Sequence, residues 1–346
     1  QNEEVREKYY KSIIDKNLLK YKNLISLDYN NKKMTFKCDC NKDHNFEISM
    51  DLFQNRKTAN LPLCTICNTK FTSVAEKNFL ELFNDIKSER HTRSIITPLE
   101  LDIYIPELKL AFEFNGLYWH SEINKENNYH LNKTELCEKQ GIQLIHIYED
   151  DWIYKNKIIK SIILNKLGKT PNEINSNECE IREIFDNKLI REFLNKNHIQ
   201  GFIRSNIKIG LYYENELISL MIFSKHENKY KLLRFCNKLN TNIINGASKL
   251  FKYFIDKYHL IEITTCINRS INQGKLYETL GFKFQSKTEP NYYYIIDGIR
   301  HSRFNFKKNK LVKEGYNTNK SEHEIMLERK IYRIYDSGNL VYKYKI

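Results

Sequence analysis

The sequence predicts a multidomain α/β protein, on three observations. Its 346 residues, 41% hydrophobic, are enough for more than one compact core. Short runs with two-residue alternation, such as LDIYI and IKIGLYY, are interleaved with helical apolar stripes such as AEKNFLELF and KLFKYFIDKY. A polar, turn-rich stretch around Gly168 and Pro171 separates two such series. Composition excludes a disordered chain, and the net charge of +13 suits a polyanionic partner, because Lys and Arg displace counterions from phosphate. The 23 tyrosines and 19 phenylalanines, interleaved with lysine, can fill cores and also stack on bases. No apolar run approaches a membrane span and no signal peptide is visible, so a soluble intracellular (cytoplasmic) protein is expected.

Residues 1–30 read as an N-terminal helix, in which Tyr9, Ile13, Ile14 and Leu18 form a packing stripe. Residues 31–70 hold two cysteine pairs, Cys38 with Cys40 and Cys64 with Cys67. Two such knuckles around an intervening strand and loop can close a tetrahedron of thiolates on Zn²⁺, so a zinc ribbon is expected; His44 is an alternative ligand in place of Cys38 or Cys40. Arg56 and Lys57, on the loop between the knuckles, are placed to touch phosphates. Cys137, Cys179, Cys236 and Cys266 are isolated and read as buried thiols.

In residues 71–167, TSVAEKNFLELF forms a helix with Val74, Phe79, Leu82 and Phe83 on its apolar stripe and Glu76 off it, behind a cap at Thr72 or Ser73. The stretch LELDIYIPELKLAFEFNGLYWH then places Asp102 and Glu113 on two strands joined at Pro106. Leu110, Phe112 and Phe114 share one face, so Ala111, Glu113 and Asn115 share the other. Two carboxylates on neighbouring strands can share a hard cation, which acidifies water and neutralises charge on a phosphate. Tyr118, Trp119 and His120 follow, then Tyr129, His130 and Lys133, a strand IQLIHIY, and Glu149, Asp150, Asp151 and Trp152.

This order resembles the very-short-patch-repair-like branch of the PD-(D/E)xK nuclease superfamily, and within it the phage-type homing endonucleases, over roughly residues 71 to 165. The resemblance implies a restriction-endonuclease-like mixed sheet flanked by helices, with Asp102 and Glu113 on Mg²⁺ or Mn²⁺, His120 as base or phosphate ligand, and Glu76 as an acid on the preceding helix. In two places the chain departs from the pattern. Asn115 stands where the superfamily signature has lysine, so either Lys133 supplies that charge or His120 replaces its role. His130 stands where the repair enzymes carry an aspartate, and it either assists the site or is an exposed helix histidine.

Residues 180–310 read as strands around an Asn215 turn, a third strand KYKLLRFCN, a helix NGASKLFKYFIDKYH, a strand IEITTCIN, a helix KLYETLG and a last strand pair, FKFQS and NYYYII. With NRSINQGKLYETLGF, this order resembles the latter half of the GNAT acyltransferase fold, and in particular the branch containing phage Mom-type DNA-modification proteins. That resemblance implies acyl-CoA pyrophosphate at the helix N-terminus formed by Asn245, Gly246, Ala247 and Ser248, with Tyr277 as general acid. The loop has only one glycine, which counts against acyl-CoA. Residues 311–346 end in an expected hairpin about Asp336–Asn339, whose Tyr342 and Tyr344 alternate with Lys343 and Lys345. Arg300, His301, Arg303, Lys307, Lys308 and Lys310 precede it as a basic run suited to a DNA backbone.

The expectation is therefore a zinc ribbon, a nuclease core and a GNAT-like domain acting as a metal-dependent endonuclease on double-stranded DNA. The alternatives are a Mom-like nucleobase-modifying acyltransferase and a non-catalytic DNA-binding regulator. Monomer and homodimer both stay open.

Overall fold

The computed structural model describes residues 23–28, 33–38, 44–58, 63–64, 74–227, 229–258 and 262–345. They fall into two compact units, residues 1–78 and 79–346.

In the first unit β1 (Leu24–Asp28), β2 (Lys33–Lys37) and β3 (Asn45–Ser49) form an antiparallel meander, followed by helix α1 (Met50–Thr58). Alternation turns Met34, Phe36, Phe46 and Ile48 inward, where Phe36 stacks on Phe46 and Phe53. Tyr9, Ile13, Ile14, Leu18, Cys40 and Cys67 lie outside the described residues. Leu24–Asp28 is a strand rather than the end of a helix. Arg56 is a correction: it lies on α1, not on a loop, and its buried guanidinium donates to the Cys64 carbonyl at 3.1 Å. It therefore serves this core rather than a phosphate.

The second unit opens with α2 (Val74–Glu81), which crosses the boundary between the units, and the strands β4 (Glu89–Thr92), β5 (Leu101–Ile105) and β6 (Leu110–Asn115). Helix α3 (Tyr129–Lys139) crosses over to β7 (Gln143–Tyr148), so β6 and β7 are parallel in a mixed sheet ordered β4-β5-β6-β7. Every residue of β6 is buried, so the face of Ala111, Glu113 and Asn115 is covered as fully as that of Phe112 and Phe114. Phe79 and Phe83 pack on Phe114 and Phe112 on one side. On the other side lies α3, whose inward residues His130, Lys133, Thr134 and Cys137 recur at helical spacing but are largely polar. Helices α4 (Glu149–Tyr154) and α5 (Asn156–Lys166) complete this part.

The stretch after Gly168 lies within the second unit. Strand β8 (Asn172–Asn175) is set aside from the main sheet. Then come β9 (Glu180–Glu183), α6 (Asn187–Asn197), β10 (Ile207–Tyr213), β11 (Glu216–His226), β12 (Lys229–Asn237), β13 (Thr241–Ile244), α7 (Gly246–Lys257) and β14 (Glu262–Asn268). Helix α8 (Lys275–Thr279) and β15 (Lys283–Lys287) follow. Strands β16 (Tyr292–Ile296), β17 (Ile299–Ser302) and β18 (Arg333–Tyr335) form a small separate sheet, with α9 (Lys308–Lys313) and α10 (Glu322–Glu328) between the last two. The last strand is β19 (Asn339–Lys345).

The main sheet is ordered β15-β19-β14-β12-β11-β10-β9. Ile222 pairs with Arg234 and Phe223 with Leu232, so Leu233 is the extra residue of a bulge. The parallel pairing of β12 with β14 stops at Leu232↔Thr265. Beyond it the strands part around a cleft of ≈ 510 Å³ lined by Arg234, Cys236, Asn268, Tyr277 and, from α5, Lys166.

Two expectations fail here because strand partners are chosen by distant chain. The strand pair FKFQS and NYYYII does not form, since β15 joins the main sheet and β16 the small one. Nor does the C-terminal hairpin: β18 pairs with β16, whereas β19 inserts between β14 and β15. Asp336 turns the chain between these sheets by accepting from the amides of Asn291 and Gly338, each at 2.8 Å. Lys343 pairs with Glu262 at 3.1 Å rather than forming part of an open basic face. The chain is a multidomain α/β protein in which a four-stranded and a seven-stranded mixed sheet share one compact unit.

Candidate active site

Strands β5 and β6 pair through Ile103↔Phe112, and one step further the acidic side chains take over. The Phe114 amide donates to Asp102 Oδ2 at 2.7 Å, and the Asp102 amide lies against the Glu113 carboxylate. Each acid is thereby held by the backbone of the other's strand. Glu113 is 3% exposed; burial first, and the Asp102 charge second, push its carboxyl up to about 8 against the pull of Lys133. Burial raises Asp102 as well, opposed by Lys133 and by the Phe114 amide.

Lys133 reaches in from α3 and donates to Glu113 Oε1, with both side chains buried. Burial works against its ammonium, but Glu113, with Tyr129 and Asp102 behind it, outweighs that and raises Lys133. Asn115 is placed differently, its amide 3.2 Å from His146 Nδ1. Glu113 Oε2 and Asn115 Oδ1 are buried with no hydrogen-bond partner among the described residues. Glu76 sits half-buried in the first turn of α2, in the other unit.

The histidines form a connected set. His120 Nδ1 and His130 Nε2 are 3.0 Å apart with stacked rings. His130 donates to the Tyr335 carbonyl, which leaves its Nε2 bare to accept from His120 Nδ1–H. The network thus assigns a tautomer in which His120 Nε2 carries no proton. His146 bridges Asn115 and Thr134 Oγ1, the latter at 2.9 Å, as a neutral ring with one N–H and one bare nitrogen. Thr134 continues the chain to Ser337 Oγ at 2.9 Å. Burial holds all three rings down, His130 to about 3 and the other two well below the usual range, with neighbouring His and Lys charges adding to it. His130 is 1% exposed, which excludes the reading of it as an exposed helix histidine.

The Glu149–Asp151 run is structural. Glu149 Oε2 accepts from the Leu117 amide at 3.0 Å and so secures the loop carrying His120. Asp150 and Asp151 grip Arg300, whose guanidinium lies 3.8 Å from the Tyr148 ring centroid. Arg300 therefore locks the small sheet onto α4 and is withdrawn from the basic run read in the sequence. On the same side, the Arg333 amide and Glu122 exchange a 2.8 Å bond.

These shifts set the pH dependence of stability. His120, His130, His146 and His198, the last also held to about 3, have folded pKa values below the unfolded value of about 6.5. Their contribution is complete above that value and is lost as pH falls toward the folded values. Glu113, Asp102 and Asp336 are raised and act in the opposite sense, losing stability as pH rises above about 4. Stability without divalent cation is expected to peak near pH 6.5, as read by urea midpoints at about pH 4.5, 6.5 and 8.5. Added Mg²⁺ should flatten the alkaline side alone, by taking the place of protons on the carboxylates.

In the first unit Cys38, His44 and Cys64 bring their ligand atoms within 4.8 Å of one another, and His44 Nε2 is 3.3 Å from Cys64 Sγ. Tetrahedral zinc with bonds of about 2.0 to 2.3 Å needs ligand separations of about 3.3 to 3.8 Å, so this set could hold zinc. At the N-terminus of α7, Gly246 is required by packing, because a Cβ there would stand 2.7 Å from Ile243 Cγ2. Ala247 and Tyr277 line the cleft, and burial pushes the Tyr277 hydroxyl up to about 12. Cys137 and Cys179 are buried as expected, whereas Cys236 is only half-buried and Cys266 is exposed.

Sequence reading missed His91, Glu100, His146, Thr134 and Ser337. His146 did carry a signal: a histidine flanked by isoleucines in a buried strand needs polar partners. Ser337, 203 positions from Thr134, carried none.

A scan against protein-family models and a search of curated proteins return no match. Among solved structures, the chain is similar to an acetyltransferase of Bacillus subtilis in complex with CoA, at 14% identity over 49% of this chain and 99% of that one, with a TM-score of 0.30. It is similar to the ribosomal-protein-S18-alanine N-acetyltransferase of Escherichia coli, at 11% identity over 49% of this chain and 94% of that one, with a TM-score of 0.32. It is also similar to the catalytic domain of the homing endonuclease I-Bth0305I, at 23% identity over 28% of this chain and 98% of that domain, with a TM-score of 0.24.

Proposed function

We propose that the chain is a divalent-cation-dependent DNA endonuclease whose hydrolytic site is built on Asp102, Glu113, Lys133 and His120. The observation that carries this reading is the Glu113 carboxylate, buried beside Asp102, with Lys133 on one oxygen and no hydrogen-bond partner for the other among the described residues. A buried polar atom left without a partner is costly, and a hard cation between these acids would satisfy it. Asp102 and Glu113 would hold that cation. Bound Mg²⁺ or Mn²⁺ supplies acidification of a water and neutralisation of charge at the phosphate.

The chain's own groups do the rest. Lys133 fixes Glu113 and would supply the positive charge that Asn115 cannot. His120, neutral at physiological pH with Nε2 bare, accepts the proton of the attacking water, and His130 holds its ring in that tautomer. The net charge of +13 favours nucleic acid as substrate. The test is supercoiled and linear DNA incubated with Mg²⁺, Mn²⁺ or neither; cleavage that needs the cation supports the reading, and cation-independent cleavage or none overturns it.

A second reading, a nucleobase-modifying acyltransferase, draws on the cleft between β12 and β14. A tyrosine near 12 is a weak general acid, and the single glycine of the α7 loop is spoken for by packing, so the nuclease reading is preferred. DNA incubated with acetyl-CoA should then show no mass change. For the first unit we propose structural Zn²⁺: a mercurial with a zinc-sensitive dye should release about one zinc per chain, and Cys64→Ala should abolish that release.

A further inference from the structure

We infer that His91, Glu100 and Asp102 form a second cation seat, distinct from the Asp102–Glu113 pair but sharing Asp102 with it, and suited to Mn²⁺ or a similar borderline divalent ion. It rests on the nuclease reading only through that shared aspartate.

The placement follows from strand register. On the edge strand β4, Arg90 lies opposite Ile103 and Thr92 opposite Leu101, so His91 falls across from Asp102. His91 adopts a left-handed backbone, φ 50°, that residues other than glycine seldom take. Its Nδ1 is 3.1 Å from Glu100 Oε1 and 4.0 Å from Asp102 Oδ1, and the three ligand atoms all lie within 4.8 Å of one another. Cation–ligand bonds of about 2.1 Å subtend separations of about 3.0 to 3.5 Å, so a small inward movement of Asp102 Oδ1 completes the set. Arg93 orients Glu100 by donating to Oε2 at 3.0 Å, which turns Oε1 to the ring. All three side chains keep a measure of solvent access, 29%, 21% and 14%, which gives an ion a way in.

Charge favours the same conclusion. Glu100 acts on Asp102 and Asp102 on Glu113, so three carboxylates crowd one end of the sheet, and the buried ammonium of Lys133 sits at the Glu113 side. Arg93 is largely in water and screens little. One imidazole with two carboxylates favours Mn²⁺, Fe²⁺, Co²⁺ or Zn²⁺, whereas Mg²⁺ prefers oxygen ligands and keeps its waters.

The test uses the full chain with its thiolate site zinc-loaded, titrated with Mn²⁺ and followed by electron paramagnetic resonance. The wild type should bind about two Mn²⁺ and show nitrogen modulation from a directly bound imidazole. His91→Ala should abolish the modulation and weaken one site at least about tenfold, and Glu100→Gln should weaken the same site. Both residues are partly exposed, so loss of fold is not the expected outcome, and a circular dichroism melt checks it. Unchanged Mn²⁺ binding in both variants, or no nitrogen modulation in the wild type, overturns the seat. If Asp102→Asn still cuts DNA while His91→Ala still loses Mn²⁺, the nuclease assignment fails and the seat stands.

Discussion

Asp102→Asn is expected to remove cation-dependent cleavage, by about 10³-fold or more, because a ligand that anchors the catalytic cation contributes several kcal/mol to the transition state. DNA affinity at fixed salt should hold or rise slightly, since one negative charge near the phosphates has gone. The fold should also gain. The amide oxygen can still accept from the Phe114 N–H, while the burial that raises the Asp102 pKa no longer acts on a charge. The variant should therefore melt above the metal-free wild type by a few degrees, the direction expected when an active site stores unfavourable electrostatics. Plasmid nicking, a filter-binding isotherm and a thermal melt on one preparation check all three. An active Asp102→Asn enzyme would place the hydrolytic site elsewhere.

What the sequence disclosed about this site was local. Alternation around Pro106 was enough to set Asp102 and Glu113 on adjoining strands, because strand period and a short turn operate within a few residues. The strands and helix of residues 207–258 were legible for the same reason, with the β10–β11 pairing closing about Glu214 and Asn215. Everything chosen by distant chain was not. Tyr342 and its neighbours look the same whether they pair with residues 331–335 or slot between β14 and β15, and only the unpaired edges of those strands decide it. Arg300 reads as one more basic residue until Asp150 and Asp151 are found against it. Helix α3 concealed its role because its inward face carries His130, Lys133 and Thr134, so an apolar stripe could not reveal which side was buried.

Lys133→Met is expected to have the largest effect on stability of the substitutions argued for this site. It removes the ammonium that holds Glu113 Oε1 and leaves a carboxyl at 3% exposure without the one cation that pairs with it. Breaking a buried pair from one side typically costs about 3–5 kcal/mol, because the remaining charge has nothing to replace water. The loss depends on pH in a defined sense. Glu113 is held up near 8 even with Lys133 present, and without it the carboxyl rises further. A group whose folded pKa lies above its unfolded value loses stability as pH climbs between the two, so wild type and variant lose it in parallel up to about pH 8, and the deficit should widen only above about pH 8, where Glu113 ionises in the wild type but not in the variant. Glu113→Gln added to Lys133→Met should recover most of the loss and flatten the pH dependence, since no charge then remains to be neutralised. Urea unfolding of the wild type and of the single and double variants at about pH 5, 7.5 and 9.5 resolves this. A deficit independent of pH would mean that Lys133 acts through the contact of its ammonium with the Tyr129 ring rather than through Glu113.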